Sequence, residues 1–150
     1  METPQLSSLY QQLILEHYRN PRNKAELDEK TVEIHMANPV CGDEIRLQLR
    51  IEGDQIAEAK FIGQGCSISQ ASISMMTAKL QGASLSDADA LAKRFTALMH
   101  GDADAAKDKS LGDLRALEGV SKFPVRIKCA LIGFDALQEA LKKHASEGPH

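Results

Sequence analysis

The sequence predicts an α+β fold, a single domain in which helices pack on one face of a small antiparallel three-stranded sheet. Three observations carry this. Apolar residues recur first at helical spacing, then alternate through three short runs, and then return to helical spacing for the rest of the chain. At 150 residues, one domain can bury well over half of the surface its unfolded chain exposes, so no metal is needed merely to hold it together. The expected domain spans residues 1–150, with 1–3 and 146–150 as frayed ends.

Thr3-Pro4 reads as an N-cap followed by Pro at the first helical position. Leu6, Leu9, Tyr10, Leu13 and Ile14 then mark one face of a helix running to about Arg19, which Asn20-Pro21-Arg22-Asn23 stops. A loop follows to about Lys30. Val32, Ile34 and Met36 alternate with Glu33 and His35, and Ile45, Leu47, Leu49 and Ile51 with Arg46, Gln48 and Arg50. Period two indicates strands with one wet face. Glu52-Gly53-Asp54 is a turn into a third strand, Gln55 to Ile62, with Ala57, Ala59 and Phe61 expected on one face.

After Gly63-Gln64-Gly65 the period becomes helical, with Ile68, Ala71, Met75, Met76 and Ala78 on a broad face before Gly82. Ser84 to Asp89 offers two overlapping capping signals for a helix carrying Leu91, Phe95, Leu98 and Met99, stopping near Gly101. Asp102 to Ser110 is expected as an exposed connection, and Leu111, Leu114 and Leu117 as a short helix. Pro124 opens the last helix, which carries Cys129, Ile132, Leu137 and Leu141 and closes on Lys142-Lys143-His144.

Composition removes several function classes. A net charge of −3 with scattered Lys and Arg lacks the footprint of a nucleic-acid binder. The first fifteen residues show neither a basic start nor an apolar run, and no stretch reaches membrane-span length. A cytoplasmic protein is expected, and with three cysteines, an odd number, a disulfide framework is not. Any one cysteine alone reads equally as a buried core thiol.

Their local settings point to shared chemistry. Cys41 lies in Asn38-Pro39-Val40-Cys41-Gly42-Asp43, a turn between strands where Gly42 permits a positive φ or a close backbone approach that would let Cys41 and Asp43 point at one centre; the equal alternative is a plain Asx-type turn with Asp43 bonding backbone and Cys41 packed beneath it. Cys66 lies in a glycine-flanked strand-to-helix junction, where backbone N–H groups favour a thiolate; the alternative is a plain N-cap served by Ser67 or Ser69. Cys129 lies in the first turns of the last helix, beside an apolar stripe that would equally bury it as a core thiol. Every cysteine sits near an element end, and such ends can converge. Three Cys and one Asp match a four-coordinate zinc site, whereas no His has ligand-like spacing to a cysteine.

These three motifs, in this order and over nearly the whole chain, resemble the U-type (IscU/NifU N-terminal-like) family of iron–sulfur cluster assembly proteins, more narrowly its SufU-type branch. IscU-type members carry a His immediately before the third cysteine, where this chain has Lys128, and their spacer between the second and third cysteines is shorter. Lys122-Phe123-Pro124-Val125-Arg126 also departs from their Leu-Pro-Pro-Val-Lys motif. The resemblance implies one zinc per chain on Cys41, Asp43, Cys66 and Cys129. It also implies a pyridoxal-phosphate-dependent cysteine desulfurase of the SufS type as partner and Cys41 as sulfur acceptor. The chain would be a sulfur carrier, monomeric alone, rather than a stand-alone enzyme. Three thiolates and a carboxylate on Zn²⁺ sum to −2, so Arg126 and Lys128 are candidates for charge support. Two other readings stay open: a scaffold for a transient [2Fe–2S] cluster on the same cysteines, and a structural zinc module for protein binding.

Overall fold

The computed structural model describes residues 8–39 and 42–146. In chain order the elements are α1 (Ser8–Arg19), β1 (Val32–Asn38), β2 (Asp43–Glu52), β3 (Gln55–Gln64), α2 (Ser67–Leu80), α3 (Leu85–Met99), α4 (Ala103–Ala106), a 3-10 segment (Lys109–Lys122) and α5 (Pro124–Ser146). The expected cap at Thr3-Pro4 and the ends at 1–3 and 147–150 lie outside the described residues, while Ser146 closes α5.

The strands form an antiparallel meander in the order β1-β2-β3. Ile45, Leu47, Leu49 and Ile51 of β2 face the helices, as the alternation predicts. On β3 the predicted face is corrected. The register shifts opposite Arg50 and Ile51, so that Ile51 pairs with Ile56 and Arg50 with Glu58. This bulge leaves Ala57 out of the pairing, so Ile56, not Ala57, joins Ala59 and Phe61 in the core. The opposite face is only partly wet: the loop after α1 lies over it and Leu27 N–H donates to the buried Gln48 Oε1 at 2.7 Å.

α2 departs most from expectation, because it is buried on nearly every side rather than along one face, and Ala78 is exposed. It packs against α1, α5, β3 and the 3-10 segment. Its hydroxyls are bound to those neighbours, as burial requires. Ser72 Oγ donates to Ala130 O of α5 at 2.7 Å, and Thr77 Oγ1 to Arg22 O at 3.2 Å. Ser74 Oγ accepts from Arg22 N–H at 2.8 Å and lies 2.8 Å from His17 Nδ1.

α3 begins as predicted, with Ser84 Oγ accepting from Asp87 N–H at 3.0 Å. The stretch expected as an exposed connection instead holds α4, capped by Asp102, and buries Ala105. Asp108 then caps the 3-10 segment; the Ser110 hydroxyl and N–H, followed by Arg94, lower its carboxyl pKa to about 2. Leu111, Leu114, Leu117 and Val120 are buried. The segment is kinked at Gly112, where φ is +55°, and after the kink Leu114, Leu117 and Val120 follow the three-residue period of a 3-10 helix, in which i and i+3 eclipse.

His17, near the end of α1, is buried between Ser74 of α2 and Asp113 of the 3-10 segment, with Nε2 3.3 Å from Asp113 Oδ2. It ties three elements together. His17→Ala is expected to destabilise the fold by about 1–3 kcal/mol in urea or thermal unfolding; an unchanged midpoint would contradict this role.

Candidate metal centre

The meander brings three chain segments to one end of the sheet. β1 ends at Asn38, paired with Asp43 at the start of β2, and Glu44 is paired with Gln64 at the end of β3. The β1–β2 turn and the β3–α2 junction are therefore neighbours. A close backbone approach makes this fit: a Cβ at Gly63, where φ is +135°, would lie 2.1 Å from Glu44 O. α5 packs on β1 and β2 as well as on α2, and the Ser72 bond to Ala130 O fixes it to α2 one residue beyond Cys129.

Asp43, Cys66 and Cys129 meet there, their ligand atoms all within 4.8 Å of one another. Asp43 is 1% exposed, Cys129 is fully buried and Cys66 is half-buried. Cys66 is the N-cap residue of α2, but its thiol makes no capping bond. Its N–H instead donates to Asp43 Oδ1 at 2.9 Å, and Ser69 Oγ lies 3.0 Å from the same oxygen. Neither Ser67 nor Ser69 acts as the N-cap, so the alternative of an ordinary serine cap is set aside.

Asp43 Oδ2, by contrast, is buried with no hydrogen-bond partner among the described residues. A buried carboxylate oxygen left unpaired costs free energy that a cation on it removes. Two thiols and one carboxylate oxygen of this kind are donors that zinc accepts in four-coordinate sites. The residues present therefore fit a metal ion, and this is the one such group of His, Cys, Asp and Glu among the described residues.

The other sequence-predicted residues fall out as follows. Cys41 lies outside the described residues; of its neighbours, Gly42 takes φ +70°, as foreseen, and Pro39 and Gly42 are exposed. Arg126 and Lys128 are both exposed on α5. Arg126 precedes Cys129 by three residues and shares its side of the helix, whereas Lys128 is turned about 100° away. No described histidine belongs to the group: His17 is structural, His35 Nε2 pairs with Glu44 Oε2 at 2.8 Å, His100 is exposed and His144 is half-buried. Ser72 and the close approach at Gly65 had no role in the sequence reading, and Ser69 entered it only as a candidate N-cap. Their partners lie in other elements, and Gly65 alone offered a signal, as a glycine beside a candidate ligand.

Among the described residues no helix is long and apolar enough to cross a membrane. Comparison with known proteins agrees with the motifs. Residues 9–147 match the model of the NifU-like N-terminal domain. The chain is 48% identical to the zinc-dependent sulfurtransferase SufU of Bacillus subtilis (strain 168), over 92% of each chain. It is 39% identical to the iron–sulfur cluster assembly scaffold protein IscU of Streptococcus pyogenes serotype M1, over 97% of this chain and 91% of that one. A solved structure from Fervidobacterium islandicum AW-1, described as a candidate iron–sulfur cluster assembly scaffold protein for the SUF system, superposes with a TM-score of 0.80 at 28% identity, covering 86% of this chain and 93% of that chain. The chain belongs to the NifU-like N-terminal domain family.

Proposed function

We propose that this protein binds one zinc ion through Cys41, Asp43, Cys66 and Cys129 and accepts sulfur on Cys41 for iron–sulfur cluster assembly. The carrying observation is the convergence of Asp43, Cys66 and Cys129, in which one buried carboxylate oxygen, Asp43 Oδ2, has no hydrogen-bond partner among the described residues. The similarity to a zinc-dependent sulfurtransferase over almost the whole chain supports the same reading. The donor would be a cysteine desulfurase of the SufS type in the cytoplasm, which itself holds pyridoxal phosphate and breaks the carbon–sulfur bond of cysteine.

Zinc, when bound, keeps its thiol ligands deprotonated at neutral pH. The protein's own part is to choose which thiol is offered. Cys129 is fully buried and Cys66 is fixed at the start of a core helix. Pro39 and Gly42, the described residues on either side of Cys41 in sequence, are exposed, and a turn opens at lower cost than a packed helix. Transfer is a thiol–persulfide exchange. The Cys41 sulfur attacks the terminal sulfur of the donor persulfide, one S–S bond forms as the donor's S–S bond breaks, and the donor leaves as a thiolate. No net oxidation occurs. Arg126, on the Cys129 side of α5, would offset negative charge during the approach; Lys128, turned away, is the weaker candidate.

A cluster scaffold is the competing reading, favoured by the names of the streptococcal and Fervidobacterium relatives. Metal content separates the two. Zinc added to metal-free protein is expected to bind at about one per chain and, at a thousandfold excess over its dissociation constant, to stabilise the fold by about 4 kcal/mol. A melting temperature indifferent to zinc would remove the metal from the account, and a brown protein purified with iron would favour the scaffold.

The acceptor role is tested by incubation with a SufS-type desulfurase and cysteine, followed by alkylation and peptide mass spectrometry. The added sulfur is expected on the peptide containing Cys41, and Cys41→Ala is expected to abolish stimulation of the desulfurase. Persulfide on Cys66 or Cys129 with Cys41 intact, or full stimulation by Cys41→Ala, would overturn the assignment.

A further inference from the structure

Resting on this metal reading, we infer that Ser69 is a positioning residue: with the Cys66 N–H and the bare Cα of Gly65, it locks the Asp43 carboxylate so that one oxygen alone faces the metal. A carboxylate turns easily about its last bond, whose torsional profile is broad and nearly two-fold, so its two oxygens ordinarily exchange places. Here they are unequal. Oδ1 is held by Cys66 N–H at 2.9 Å and stands 3.0 Å from Ser69 Oγ, while Oδ2 is buried with no partner among the described residues. A half turn only exchanges two equivalent oxygens; what the donors fix is the plane of the carboxylate, because any smaller rotation carries the bound oxygen away from the Cys66 N–H and the Ser69 hydroxyl.

The clamp is tight from the opposite side as well. A Cβ built at Gly65 would lie 2.4 Å from Asp43 Oδ1 and 2.5 Å from Ser69 Oγ, so any side chain there displaces the hydrogen-bonded pair. Ser69 is fully buried one turn into α2, and its hydroxyl also lies 3.1 Å from Cys66 O. Both donors to Oδ1 therefore belong to the first turn of α2, whose N-terminal partial positive charge suits a carboxylate. Asp43 is thereby joined to the helix that carries Cys66, and two ligands move as one body. A carboxylate held through one oxygen presents the single ligand atom that a four-coordinate site requires of it. The clamp thus sets both the ligand count and the orientation, and assigns Asp43 to the permanent part of the site.

The test is zinc affinity by chelator competition on the full chain, for the wild type, Ser69→Ala, Gly65→Ala, Asp43→Ala and the Ser69→Ala/Asp43→Ala double variant. Ser69→Ala and Gly65→Ala are each expected to weaken zinc by about 10–100-fold, the range typical of lost outer partners of a metal ligand. Asp43→Ala should weaken it at least as much. Adding Ser69→Ala to Asp43→Ala should change affinity by less than about twofold, because Ser69 acts only through the carboxylate. Gly65→Ala keeps the hydroxyl and disturbs the clamp from its other side, so the inference does not hang on one variant. An equal loss from Ser69→Ala with and without Asp43 would mean a general effect on the fold and would overturn the inference. Wild-type affinity in both Ser69→Ala and Gly65→Ala, with Asp43→Ala weakened, would overturn it while leaving the metal reading intact. An unchanged Asp43→Ala would sink both.

Discussion

The organisation of this molecule turns on a buried carboxylate whose two oxygens have different fates. Asp43 opens β2 and meets two thiols; its Oδ1 receives the N–H of the residue that starts α2, while its Oδ2 has no hydrogen-bond partner among the described residues. An uncompensated carboxylate in such a place is expensive. On one side the compensation comes from hydrogen bonds, and on the other the proposed metal would supply it. Much of the surrounding structure serves that arrangement: the tight approach at Gly63, the absence of a side chain at Gly65, and the Ser72 bond that holds α5 against α2 beside Cys129.

The three described residues of the site stand on packed elements. Cys66, Cys129 and Asp43 are supported by α2, α5 and the sheet, which share one core. The remaining candidate ligand, Cys41, belongs to a turn whose described neighbours are exposed. A protein that must hold a metal and also offer a thiol to a partner needs both kinds of support.

Much of this was legible in the sequence, and the exceptions have physical causes. The strands were read correctly because alternation survives along β1 and β2, but Ala57 was misplaced because one extra residue in β3 inverts the period, and a bulge leaves no compositional trace. α2 was read as one-faced because Ser69, Ser72, Ser74 and Thr77 look like a polar side. They are buried because each finds a partner far along the chain, in Asp43, Ala130, Arg22 or His17. The same non-locality hid His17 and the Ser69 clamp. The candidate ligands were visible because each cysteine stands at or near an element end next to turn chemistry. That Asp43, Cys66 and Cys129 meet follows from the register of the meander and from the packing of α5 on α2, and only the meander was foreseen.

The most direct test of the account is X-ray absorption at the zinc edge of the zinc-loaded protein, which reads the atoms around the metal. The account predicts sulfur as the majority ligand, about three Zn–S contacts near 2.3 Å, with one oxygen ligand at about 2.0–2.2 Å that disappears or is replaced in Asp43→Ala. A zinc shell of nitrogen and oxygen without sulfur, or an oxygen contact untouched by Asp43→Ala, would contradict it.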